Sequence, residues 1–207
     1  PRQLVALTTM GGLVGEARDR IQRDAESVLE KTVGEQPIVH IGGKTASLVE
    51  GGSGSKAYAE AVCVYLAFVV DKCADYWSSI CSWHSSGEKM RNTFGRQAIP
   101  MTWDFAEANP MSNSSGNWMA MVDWTWKALI TTPARTPGFA TQSDAQTQQI
   151  SKNKFISTDP PYYDNIGYAD LSDYFYVWLR KLLRETFPLL FSTISVPKAE
   201  ELVATPY

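Results

Sequence analysis

The chain has 207 residues, 44% of them hydrophobic and 20% charged, with a formal net charge of −3. That balance excludes a disordered chain, and the length is enough to bury a core without disulfide or metal staples. The longest unbroken apolar run, residues 61–70, is far short of the roughly 20 residues that a membrane helix needs, and the acidic balance excludes a grip on nucleic acid by overall charge.

Residues 2–32 read as helical, with Leu4, Leu7, Val14, Ala17, Ile21, Ala25, Val28 and Leu29 recurring at three- and four-residue steps. Gly11-Gly12 marks either a kink or a break into two helices. Residues 33–56 are rich in glycine. A short strand is expected at 37–41, with Gly42-Gly43 and Gly51-Gly52-Ser53-Gly54-Ser55 as turn material. Residues 56–83 form the strongest helix candidate, and their middle is apolar all round, which predicts a buried helix. Residues 85–112 read as irregular. A helix follows at about 114–130 and is stopped by Pro133 and Pro137. Residues 138–141 and 154–158 read as strands joined by a polar connection. A last helix is expected at about 171–187, capped by Asp170 or Ser172 and stopped by Pro188. The expected fold is α/β and helix-rich, with 1–135 a mainly helical segment and 136–207 a second part.

Chemistry concentrates at Asp159-Pro160-Pro161-Tyr162, straight after the stretch that holds the apolar pair Phe155-Ile156 and ends at Thr158. A proline-rich turn closing a strand accounts for the same residues. In open α/β sheets, however, ligands bind beyond the carboxyl ends of the strands. A carboxylate in that position, stiffened by two prolines and followed by an aromatic ring, is placed as a site residue is.

The tetrapeptide resembles the catalytic motif of S-adenosylmethionine-dependent methyltransferases that act on exocyclic amino groups, chiefly adenine in DNA. The longer string from Ser157 to Ile166, with Tyr168 to Arg180, resembles one subgroup. These are the large prokaryotic adenine-specific DNA methylases that carry a zinc-ribbon insertion. Segments 57–62, 92–100, 103–110 and 196–202 are similar to the same subgroup. The resemblance implies a partial Rossmann-like fold with an incomplete sheet, whose central strand ends at Thr158. It implies methyl transfer from S-adenosylmethionine to a flipped-out adenine of DNA, with Asp159, Pro160, Pro161 and Tyr162 catalytic. Two acceptors, the Asp159 carboxylate and the Pro160 carbonyl, would take the amino N–H bonds and draw nitrogen towards tetrahedral geometry. Tyr162 would stack on the extruded base.

By the same resemblance Tyr163, Asn165 and Arg96 contact substrate, and Asp144 hydrogen-bonds the cofactor adenine. For Asp144 a surface turn explains the residue equally well. For residues 91–110 two readings stand: a loop lining the target-base site, or a buried connection whose polar groups cap helices. Arg180, Lys181 and Arg184 lie on one helix, as a solvated face or as phosphate contacts. The family's glycine-rich cofactor loop has no counterpart here. Gly51-Gly52-Ser53-Gly54 is a rival without a preceding strand. The chain is therefore expected to be a piece of a longer polypeptide, with the missing parts among its partners.

No metal is expected. Cys63, Cys73, Cys81 and His84 would spread over roughly 30 Å of helix axis, too far for one zinc ion, and read as core residues. Gly42-Gly43-Lys44-Thr45 lacks the earlier glycine of a phosphate loop, because Ile38 stands in its place. Three unpaired cysteines and no signal-peptide pattern at the first residues imply the cytoplasm, with no membrane partner. A restriction–modification or phage-defence role fits the resemblance. Two other classes remain open: a non-catalytic scaffold that has lost cofactor binding, and methylation of an amino group in RNA or protein.

Overall fold

The computed structural model describes residues 2–32, 45–132, 138–160, 162–163 and 166–204. The expected strand at 37–41 and the Gly42-Gly43-Lys44 stretch lie outside them. Helix α1, Arg2–Thr32, runs unbroken through Gly11-Gly12. Gly11 faces the helix that carries Leu182, whose side chain a Cβ would meet at 3.4 Å. Its small size sets the approach of the two helices. Leu7, Met10 and Val14, three to four residues apart, form the buried stripe of α1.

Helix α2, Ser55–Tyr76, is the centre of the molecule and is buried on several faces. Leu7, Met10 and Val14 meet Cys63, Val70, Cys73 and Trp77 of the central helix and its end, together with Met121. A buried carboxylate, Glu60, ties the preceding loop down by accepting the Leu48 N–H at 2.6 Å. Helix α3, Trp118–Thr131, starts where the Asn117 side chain accepts the Ala120 N–H at 2.7 Å, later than the expected 114. Trp77 locks the loop before it by donating its indole N–H to the Gly116 carbonyl at 2.8 Å.

The central helix ends at Tyr76, not at 83. Its last carbonyls find partners outside the helix. The Asp75 carbonyl accepts both the amide and the hydroxyl of Thr93, at 2.7 and 2.8 Å. The chain then forms β1, Ser82–His84, and β2, Lys89–Arg91. These pair antiparallel, Ser82 with Arg91, Trp83 with Met90 and His84 with Lys89. A 3-10 turn, Ser85–Gly87, and Glu88 at φ 46° join them.

Helix α4, Tyr168–Leu183, begins three residues before the expected position. Its N-cap is Gly167, which offers no side chain, so neither Asp170 nor Ser172 caps it. Instead Glu201 accepts the Ala169 N–H at 3.0 Å. Tyr174, Trp178 and Leu182 lay this helix against the main core, and Leu183 joins Ala67 and Phe191 in a second small cluster.

The expected strands at 138–141 and 154–158 are a correction. Both segments are irregular, and their backbone groups make no ladder with any described residue. A strand exists only by pairing, and these two do not lie in register with each other or with the hairpin. Phe139 and Phe155 are consequently exposed. Among the described residues the fold is helix-rich with one two-stranded antiparallel sheet, and no helix is long and apolar enough to cross a membrane.

Candidate functional site

Residues 155–160 run without regular structure, with every side chain exposed. The Tyr162 hydroxyl donates to the Asp159 carboxylate at 3.3 Å, which brings two of the expected catalytic side chains together. The Pro160 carbonyl accepts no hydrogen bond from a described residue. Two expected members, Pro161 and Asn165, lie outside the described residues. Tyr163 sits at φ 60°, a left-handed conformation that bulky residues rarely adopt. Its carbonyl is held by the Ala204 N–H at 3.2 Å.

Asp144 opens a turn. Its carboxylate accepts the Gln146 N–H and the Thr147 hydroxyl, each at 2.9 Å. A carboxylate has about four acceptor positions, so capacity remains beyond the turn. The residue lines a cleft of about 580 Å³ with Tyr168, Ser172, Glu200 and Glu201. Volumes of this order suit a small-molecule ligand. The C-terminal segment that forms one wall reaches the Asp159 loop through the Ala204–Tyr163 bond.

Arg96 is elsewhere. It is exposed and borders a small cavity of about 140 Å³ with Arg91, Asn92 and Thr93, none of which belongs to the Asp159 segment. The stretch around it serves chiefly as a cap. Asn92 donates to the Asp75 carboxylate at 2.7 Å, and the Phe94 N–H to its other oxygen at 3.1 Å. Phe94 then packs on Tyr174 and Phe175 of α4. Arg180 is also used internally, donating to the Thr193 carbonyl at 2.7 Å. Gly51-Gly52-Ser53-Gly54 forms the turn into the central helix, with Gly54 as its N-cap.

All three cysteines are buried free thiols, and no three potential metal ligands converge among the described residues. The hairpin that brings His84, Lys89 and Arg91 towards Trp124 was missed in the sequence. The signal was there: two alternating triplets, Ser82-Trp83-His84 and Lys89-Met90-Arg91, flank a glycine turn. Comparison with known protein families, with curated proteins and with solved structures finds no match.

Proposed function

We propose that the chain carries the catalytic loop of an S-adenosylmethionine-dependent methyltransferase acting on the exocyclic amino group of adenine in DNA. The reading rests on one observation: an exposed Asp159-Pro160 acceptor pair with Tyr162 beside it, in the order of the amino-methyltransferase motif. An amino nitrogen conjugated to a base is a poor nucleophile. The Asp159 carboxylate and the Pro160 carbonyl are neighbours on an exposed loop, and in this reading both accept its N–H bonds. Charge assistance makes the carboxylate the stronger acceptor. Tyr162 turns its hydroxyl to Asp159, and its ring is free to cover a base.

The cleft beside α4 is the natural place for the cofactor. Asp144, Glu200 and Glu201 give it an acidic lining suited to a cationic ligand, and Tyr168 adds an aromatic surface. The cofactor supplies an electrophilic methyl group on sulfur. The finer architecture in this reading, a Rossmann-like sheet around the Asp159 loop with 136–207 as part of a catalytic core, belongs to the same proposal.

The test is a methyl-transfer assay on DNA with labelled cofactor, run on this chain and on a longer polypeptide that contains it. Asp159→Ala is expected to lower the rate by about 10²–10³-fold, as loss of a pre-placed polar group does. An unchanged rate overturns the assignment. Product analysis by mass spectrometry separates adenine from an RNA or protein amino group.

A further inference from the structure

A second place in the molecule has the chemistry of a ligand site and is not used by the Asp159 loop. A cavity of about 390 Å³ opens between the hairpin and α3, lined by Tyr76, His84, Lys89, Arg91, Asn92 and Trp124. The strand register puts His84 opposite Lys89 and Ser82 opposite Arg91, so the basic side chains share one face of the hairpin. Neither Lys89 nor Arg91 forms an ion pair with a described residue.

Two of the nearby carboxylates are committed elsewhere. Asp75 holds Asn92 and the Phe94 amide, and Asp123 pairs with Lys127 at 2.5 Å. Glu88 stands exposed at the hairpin tip. The mouth is thus cationic on a chain whose net charge is −3. Its wall is aromatic: Tyr76 and Trp124 meet edge to face at 6.5 Å, and Lys72 Nζ lies 5.1 Å from the Trp124 ring centre. His84 lines the cavity, and its Nδ1 is buried with no hydrogen-bond partner among the described residues, beneath Gly87, where a Cβ would come within 2.6 Å of it. Arg91 also borders the small cavity of Arg96, which extends the line of positive charge.

Unpaired cations beside an aromatic wall are the elements that hold single-stranded nucleic acid: phosphate on the cations, a base face on the rings. A base inside a duplex has both faces covered, and a cavity of this size admits one nucleotide. We propose that this pocket binds a nucleotide unit of a single-stranded nucleic acid, with phosphate at Lys89 and Arg91 and the base at Trp124 and Tyr76. The inference goes beyond methyl transfer and needs neither Asp159 nor the cofactor.

Fluorescence anisotropy of a labelled single-stranded oligonucleotide, titrated with the full chain across a salt series, tests it. The wild type is expected to bind with a steep salt dependence. In K89A/R91A the affinity falls at least about ten-fold, and the log–log salt slope flattens by about 1.4, two contacts at about 0.7 each. Trp124→Leu weakens binding about ten-fold with the slope unchanged, since stacking releases no counterion. Arg20→Ala, a basic residue on α1 paired with Asp24, binds as the wild type does. Circular dichroism of each variant checks that the helices persist.

The inference is overturned if the wild type shows no salt-dependent binding, or if K89A/R91A keeps the wild-type slope. Duplex DNA whose binding depends on Lys89 and Arg91 as strongly as that of the single strand also overturns it. Free AMP competing as well as the strand, nucleotide for nucleotide, reassigns the pocket to a free nucleotide. Strand binding is read without cofactor and through Lys89 and Arg91, which keeps this result separate from the methyl-transfer test.

Discussion

Asp71 sits on the central helix with Oδ1 buried and no hydrogen-bond partner among the described residues. Burial, reinforced by the Asp75 carboxylate one turn on, pushes its carboxyl up to about 7. The sign follows from linkage. Well below the ordinary aspartate pKa of about 3.9, folded and unfolded chains both hold the proton. As pH rises towards 7 the unfolded chain releases it while the folded chain keeps it, so stability falls across that window and stays lower above it. The full linkage value is about 4 kcal/mol, and partial contact with water reduces the expected cost to about 2 kcal/mol. Asp71→Asn removes the titration and keeps the shape. Denaturant unfolding at about pH 4 and about pH 8 should therefore show the variant gaining about 2 kcal/mol on the wild type between the two. Parallel profiles would mean that Asp71 is solvated. At the same scale Asp159 presents the opposite environment, exposed and, among the described residues, hydrogen-bonded only to the Tyr162 hydroxyl.

Among the elements, α4 depends on the segment that follows it. Glu201 supplies the missing cap at Ala169, and Asp173 accepts the Val196 N–H at 2.8 Å and the Lys198 ammonium at 2.5 Å. The Lys198 ammonium, with the Val196 amide, holds the Asp173 carboxyl below its usual range. Glu201→Ala should cost about 1 kcal/mol, the value of a lost cap. Hydrogen exchange should read this as roughly five-fold faster opening of the first turn of α4, whereas Glu201→Gln, which keeps an acceptor, should not. Equal exchange in all three proteins would mean that water caps this helix. This dependence also shows where sequence reading stops. Helical periodicity revealed α1, α3 and α4, because the pattern that makes a helix amphipathic is local. It did not reveal a cap 32 residues away. The strand reading at 138–141 and 154–158 recorded a capacity for strand, not the presence of a partner. The Asp159-to-Tyr162 loop was legible because its members are neighbours in the chain. The hairpin pocket was not, because nothing local ties Lys89 to Trp124.

For the molecule as a whole, the organising fact is that one helix is wrapped by the other three, and the cysteines report on it. Cys63, Cys73 and Cys81 are 5%, 0% and 0% exposed. Burial raises the Cys63 thiol and pushes Cys73 up to about 12. Because the thiolate is the reacting species, a folded chain near pH 8 resists through lack of access at all three residues and through ionisation at Cys63 and Cys73. Thiol reagents should leave the native protein unmodified over minutes and label all three residues in concentrated guanidinium. The labelling rate across a denaturant series should then track the loss of helix, since no thiol is reachable until the wrapped core opens. Cys81 makes the experiment sharper. Its Sγ contacts the Tyr76 carbonyl at 3.3 Å and the Thr93 hydroxyl at 3.6 Å, at the root of the hairpin. If Cys81 reacts ahead of Cys63 and Cys73, the hairpin opens as a unit of its own. If Cys73 reacts in native buffer, the central helix is not covered as described. A single common rate means that the hairpin, with the basic face it carries, is fixed as firmly as the helices beneath it.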